Sequence, residues 1–365
     1  MRANAPRRSP NCHMSATTKA ALAAHAGTRF DARVRIGCPQ QPACGARGSA
    51  VKAHCVAMRR PEPLPAAIAN APFRVADALE AGVTRDRLRS SDLVAPFHGV
   101  RATSVGSVLE LARAYAPLLP QHHCFGGVTA ARLWGLPIAT AWSKEEALVI
   151  ARVHGENRGF VAGTRQISVR SGTQQMQHLE LRMLTPLATA LTLARDLEHE
   201  QLVQVLDALL TDSRNYPGLL VPRKPEAAHV TPLQLATFIK EHAGLNGIVA
   251  LRDATEAARA GVDSRFETIT RVLIVEAGLP EPVVHPEVVI DGITFRPDLG
   301  YVDKKVAIEY EGEQHREDGR WQQDIDRYAR FEAAGWSRVR VTNRDLGQRG
   351  ARFIARLQRV LEQRS

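Results

Sequence analysis

The segment RPDLGYVDKKVAIEYEGEQH, residues 296–315, decides the reading of this chain. It reads as two buried strands, yet it gathers Asp298, Glu309 and Glu311. Alternation along KKVAIEYEG puts Val306, Ile308 and Tyr310 on one face and Lys305, Ala307, Glu309 and Glu311 on the other. With the adjacent strand ending at Asp298, all three carboxylates can point at one spot. Acids that close repel unless a cation sits between them or some are protonated. A hard divalent ion with oxygen ligands answers that demand, Mg²⁺ above all, with Mn²⁺ as a substitute. Such an ion leaves room for a phosphate oxygen and an attacking water. The competing reading is a solvated edge strand whose acids pair with Lys304 and Lys305.

Working outward, SRFETITRVLIVEAGLP (264–280) predicts a helix with Phe266, Ile269, Thr270, Leu273 and Ile274 on one face, stopped by Gly278 and Pro280. PEVVIDGITFRPDLG (286–300) holds two strand runs around Asp291-Gly292, the dipeptide that favours a type I′ hairpin. Beyond the acidic strand come a helix over 320–334, the strand SRVRVT (337–342) and a closing helix over 346–363. The order is αβββαβα, and the strand after the helical crossover should run parallel to a neighbour.

FETITRVLIVEAGLP, RPDLGYVDKKVAIEYEGEQH, DIDRYARFEAAGWSRVRVT and RDL together resemble the PD-(D/E)XK, or restriction-endonuclease-like, superfamily. Within it they are similar to the branch of the very-short-patch-repair endonucleases, in a form carried by many actinobacterial proteins, over about residues 263–346. The resemblance implies that Asp298 and Glu309 hold Mg²⁺ and that Glu267, on the preceding helix, stands near the metal. Glu311 occupies the position where the superfamily has a lysine that orients or activates water; a few members use glutamate there. His315 lies near the site in the branch pattern, and Gln314 could supply a polar contact. The implied chemistry is metal-assisted hydrolysis of a phosphodiester, with Glu311 or His315 taking a proton from water.

Upstream, GVTRDRLRSSDLVAPFHGVRA (82–102) follows a short helical pattern and suits a helix-turn-helix with a wing. Its second helix would present Arg85, Arg87 and Arg89 to a major groove and phosphates; the alternative is a small helical cap with solvated arginines. With VTAARLWGLPI (128–138), this part resembles the winged helix of AbiEi-type antitoxins. Residues 105–260 read as a mixed α/β region without assigned chemistry. His122, His123 and Cys124 adjoin, but adjacent residues of a strand point apart, which disfavours a metal there.

The net charge of +10 is concentrated in residues 1–57, where nine Lys and Arg face Asp31 alone. Four of the five cysteines lie in the same stretch, at spacings unlike a zinc motif. We expect it to be disordered or a non-native extension, with Met58 as an alternative start; an organelle transit peptide is the other reading. No apolar run approaches the roughly 20 residues of a membrane span, so the expected setting is the cytoplasm. The expected fold class is α/β (α+β), with a winged helix-turn-helix at 58–104, a middle domain at 105–260 and a nuclease-like domain at 261–365. Two functions stay open: a metal-dependent DNA endonuclease, whose single site would have to dimerise or act twice to cut both strands, and a non-catalytic antitoxin or transcriptional regulator.

Overall fold

Short helices and strand pairs open the described part of the chain. In the computed structural model, which describes residues 61–155, 159, 161–224, 227–312 and 329–364, helix α1 (Ala66–Ala69) precedes β1 (Phe73–Arg74) and α2 (Val75–Glu80). Gly82, at φ 83°, ends α2 in the left-handed conformation that glycine tolerates. The expected recognition helix does not form: residues Arg87–Arg89 make one 3₁₀ turn. Ahead of the turn the Thr84 hydroxyl accepts from the Arg87 N–H at 3.2 Å. The turn stops because Ser90 is extended and the Arg87 side chain bonds Ser90 and Asp92, local contacts that compete with further helix. Strand β2 (Val100–Arg101) pairs antiparallel with β1, and Val94 bridges Ala102, so the wing-like return is present.

The middle of the chain carries the largest core. Helix α3 (Val108–Tyr115) is capped by Ser107, then β3 (Cys124–Phe125), α4 (Gly127–Leu133), β4 (Leu148–Val153), β5 (Thr164–Val169), β6 (Gln175–His178) and β7 (Leu181–Leu184) follow. They build a mixed sheet in the order β5-β4-β3-β7-β6. Helices α5 (Pro186–Leu193), α6 (His199–Leu210), α7 (Pro232–Glu241) and α8 (Ile248–Ala257) complete it. From Leu202 to Leu210 every residue of α6 is buried, so this helix is a central element rather than an amphipathic surface one. The two-residue β3 and the polar β6 carry no apolar run that periodicity could single out.

The last part begins with α9 (Arg265–Glu276), followed by β8 (Val283–Val284), β9 (Val288–Ile290), β10 (Ile293–Phe295), β11 (Leu299–Tyr301), β12 (Val306–Glu311), β13 (Ser337–Thr342), α10 (Asn343–Leu346) and α11 (Ala351–Glu362). Strands order as β13-β12-β11-β8, with β12 and β13 parallel as expected and the other pairs antiparallel. Asp291 (φ 50°) and Gly292 (φ 74°) form the two-residue hairpin turn. That hairpin is a separate two-stranded sheet, however, and Asp298 precedes β11 instead of ending a strand. Pro286 and Pro297 bracket the hairpin, and neither can donate to a ladder, so pairing restarts after each. Ile274 of α9 and Phe353 and Leu357 of α11 cover one face of the four-stranded sheet, against Leu299, Val306, Ile308 and Val339. Ala307 faces the other way, toward Val288, Phe295, Phe331 and Trp336. The helix expected over 320–334 lies largely outside the described residues; 329–333 are helical.

The chain is thus a mixed α+β protein with several sheets. Among the described residues no helix is long and apolar enough to cross a membrane.

Candidate metal and carboxylate site

The site is assembled where the start of α9 meets the sheet. Ser264 caps α9, its hydroxyl accepting from the Glu267 N–H at 3.4 Å and donating to Glu267 Oε1 at 2.8 Å. Glu267 Oε2 also accepts from the Asp263 N–H at 2.9 Å. A glutamate in the first helical turn thereby meets orphan donors and the positive end of the helix dipole. This locks the side chain, which is 6 % exposed, in one orientation.

Strand register supplies the rest. Leu299 pairs with Val284 on one side and with Ile308 on the other. One step further along, Asp298 lies between His285 and Glu309, and the His285 N–H donates to the Asp298 carbonyl at 3.0 Å. Directly opposed residues share a sheet face. Asp298 Oδ2 accepts from the Tyr310 N–H at 2.7 Å, which ties it to β12.

His285 has a left-handed backbone (φ 45°), uncommon for a residue other than glycine and more frequent at functional sites. The following Pro286 packs on Gly300, where a Cβ would come within 3.0 Å of the proline ring and 3.1 Å of the Val306 carbonyl. Only glycine at 300 leaves room for this seat. His285 Nε2 is then 3.1 Å from Glu267 Oε2 and 3.8 Å from Asp263 Oδ2, while Arg296 approaches Nδ1 at 3.3 Å. Arginine can only donate, so in the neutral ring Nδ1 accepts and Nε2 carries the proton toward Glu267.

Ligand atoms of Glu267, His285 and Asp298 all lie within 4.8 Å of one another. Burial pushes the Asp298 carboxyl up to about 7; Glu267 and Glu309 add to the rise and the Tyr310 N–H opposes it. Burial works against protonation of His285, but its bond to Glu267 and the charges of Glu267 and Asp263 outweigh that and raise its pKa. Two carboxylates and an imidazole in this spacing can hold a divalent cation. The nitrogen donor moves the preference from Mg²⁺ toward ions that accept imidazole, such as Mn²⁺.

The arrangement differs from the expected trio. Asp298 and Glu267 meet as expected, and His285 joins them, which composition and spacing did not reveal. The available signal was His285-Pro286 immediately after a short Val-Val run, a pattern that ends a strand. Glu309 lies beside Asp298 in register, with Oε2 3.6 Å from Arg338 Nε. Glu311, at the usual lysine position, faces Arg338 at 3.3 Å and Arg340 at 3.1 Å. The cations near the acidic strand therefore come from β13, a parallel neighbour that alternation within one strand cannot identify. His315 and Gln314 lie outside the described residues.

The arginines of the front segment are unequal. Arg87 pairs with Asp92 at 2.9 Å, bonds Ser90 and the Glu62 carbonyl, and its side chain is 9 % exposed. The Arg89 side chain is 73 % exposed, with Asp86 at 3.9 Å, and Arg85 is exposed. Cys124 is a buried free cysteine whose thiol burial pushes up to about 12, which leaves it a poor nucleophile or ligand.

No family model matches the chain, and no solved structure matches it. Two relatives from Mycobacterium tuberculosis are similar to it, "Uncharacterized protein MT2308" of strain CDC 1551 and "Uncharacterized protein Rv2248" of strain H37Rv. Each is 26% identical over 281 residues, 76% of this chain and 95% of the relative.

Proposed function

We propose that the chain is a metal-dependent DNA endonuclease that hydrolyses phosphodiester bonds. The observation that carries this reading is the convergence of Glu267, His285 and Asp298 at the junction of α9 and the sheet. Burying two acids side by side is costly without a cation to offset their charge. Glu267, Asp298 and His285 would hold a divalent ion, Mn²⁺ or Mg²⁺, with Glu309 beside them. When bound, the ion supplies Lewis-acid polarisation of the phosphate.

The chain's own groups do the rest. Tyr310 N–H and the α9 cap hold the acids in place; Arg338 pairs with Glu309 and Glu311, Arg340 with Glu311, and both bring positive charge toward a phosphate. To ligate through Nε2, His285 would have to be the neutral tautomer protonated on Nδ1, with Arg296 turned away, and the acids would have to be ionised, so metal affinity would rise with pH. The αβββαβα reading of residues 261–365 as a restriction-endonuclease-like core belongs to this proposal, with Asp298 and Glu309 as its motif acids. DNA targeting by the front segment would rest on Arg85 and Arg89, with Arg87 holding the turn. A cytoplasmic setting fits, and a homodimer would let two sites cut both strands.

A second reading, a DNA-binding regulator with a degenerate nuclease-like part, is favoured by one feature: Glu309 and Glu311 are already paired with arginines. The deciding experiment is cleavage of plasmid and linear DNA with Mg²⁺, Mn²⁺ or EDTA, beside Asp298→Ala and Glu309→Ala. Cutting that needs metal and is lost in both variants supports the endonuclease. DNA binding without cutting under any metal, unchanged in both variants, moves the assignment to the regulator.

A further inference from the structure

Beyond residue 57, positive charge is unevenly spread along the chain. Residues 337–364 carry eight arginines against two acids, Asp345 and Glu362, whereas residues 58–336 hold 31 Lys and Arg against 35 acids. The basic run coincides with three elements, β13, α10 and α11. A basic patch confined to one part of a molecule is the footprint of a polyanion partner.

Topology brings this run to the carboxylates. Thr342, the last residue of β13, pairs with Glu311 of β12, so β13 ends where the acidic strand ends. Helix α10 follows at once, and the chain turns at Gly350 (φ 66°), where a Cβ would come within 3.1 Å of Leu273 of α9. Helix α11 therefore starts against the helix that carries Glu267. It then runs back along β13: Arg356 bonds the Arg340 carbonyl, and Arg364, just past the helix, bonds the Gly335 carbonyl and Ser337 Oγ at the start of the strand. Arg344 and Arg352 thus stand at the site end of the sheet, and Arg359 lies farther out.

The apolar stripe Phe353, Leu357 and Leu361 is spent on the sheet. What α11 shows to solvent is Arg352, Ala355, Arg359 and Glu362. A lipid surface takes a helix by its apolar side, and none is left here. Arg356 is committed to Asp345 at 3.4 Å. Arg344 and Arg352 are exposed, with no carboxylate partner among the described residues, and Arg359 bonds the Ala355 carbonyl of its own helix. Seven residues separate Arg352 from Arg359, two turns on one face and about 10 Å along the axis. That length matches about three phosphates of one DNA strand.

We propose that Arg344, Arg352 and Arg359 form a track for the phosphate backbone of DNA, leading away from the carboxylate site. The inference rests on the endonuclease reading for its partner and adds where the strand beside the scissile bond is held. Arginine suits the task because its planar fork meets phosphate oxygens in pairs.

The test follows binding of the full chain to a fluorescein-labelled DNA duplex in EDTA, by anisotropy over a series of salt concentrations. Arg344→Gln, Arg352→Gln and Arg359→Gln together should lower the slope of log affinity against log salt by about three, one phosphate contact each. Arg344→Lys, Arg352→Lys and Arg359→Lys together keep the charge and should restore the slope. A control of equal charge, Arg170→Gln, Arg195→Gln and Arg252→Gln together, removes exposed arginines of the middle of the chain and should lower it by less than about one. Melting midpoints should stay unchanged throughout; if the first triple variant melts early, Arg352→Gln alone should lower the slope by about one. An unchanged slope, or an equal drop in the control, overturns the track. So does loss of binding to phosphatidylserine vesicles with DNA binding intact, which would assign the face to a lipid surface. An equal drop on an RNA duplex supports the track and widens its partner to nucleic acid. Metal-dependent cutting with an unchanged slope sinks the track alone, whereas a lowered slope without cutting under any metal sinks the endonuclease reading alone.

Discussion

His285 Nε2 stands 3.1 Å from Glu267 Oε2, joining the end of an edge strand to the capped start of a helix. Neither residue needs the other for its local structure: Glu267 completes a helix cap, and His285 ends a strand before a proline. Their meeting turns a helix cap and an acid just ahead of β11 into a three-donor group.

His285→Ala should therefore weaken metal binding at least tenfold while leaving the sheet intact. The readout is the midpoint shift produced by titrating Mn²⁺, compared with wild type. An unchanged shift would remove His285 from the ligand set.

Asp298 makes metal-free stability depend on pH. Its folded pKa, about 7, lies above its ordinary value of 3.8, so between these values the folded chain holds a proton that the unfolded chain has released. Stability from this group is greatest at low pH and falls as pH rises through that window, by on the order of 4 kcal/mol. His285, with its raised pKa, acts in the same direction. In EDTA, wild type should lose stability from pH 5 to 8 more steeply than Asp298→Asn, and the variant should be the more stable at pH 8. Parallel melting profiles would contradict the assignment.

Helix α9 is held by a buried ion pair. Arg271 and Asp207 side chains, 1% and 0% exposed, meet at 2.9 Å, and Thr268 Oγ1 donates to the same Asp207 oxygen at 2.8 Å. Asp207→Ala leaves the guanidinium with Glu281, 2.9 Å away, as its remaining carboxylate and should cost about 3 kcal/mol, the low end for breaking a buried pair, measured by urea unfolding. Since α9 carries Glu267, metal affinity should fall as well.

The front arginines should separate into two kinds. Arg87→Ala should lower the melting midpoint, because Asp92 and Ser90 lose their partner. Arg85→Ala and Arg89→Ala should leave melting unchanged and each reduce the salt dependence of DNA binding by about one phosphate contact. A DNA affinity indifferent to both exposed arginines would assign the segment a purely structural role.

Local order in the chain is written in its sequence. The cap and stop of α9, the positive-φ turn at Asp291-Gly292, the alternation of β12 and the parallel placement of β13 follow from short-range spacing and from the constraint on crossovers. Asp298 was conspicuous in the sequence as an acid between two apolar strand runs, whereas Glu267 came into view only through the family resemblance of its helix. Tertiary structure alone decided which partners meet. The hairpin's separation from the main sheet, the pairing of His285 opposite Asp298, and the capture of Glu309 and Glu311 by Arg338 and Arg340 all depend on strand register. Register joins residues distant in the chain, and a shift of one position would send each side chain to the opposite face.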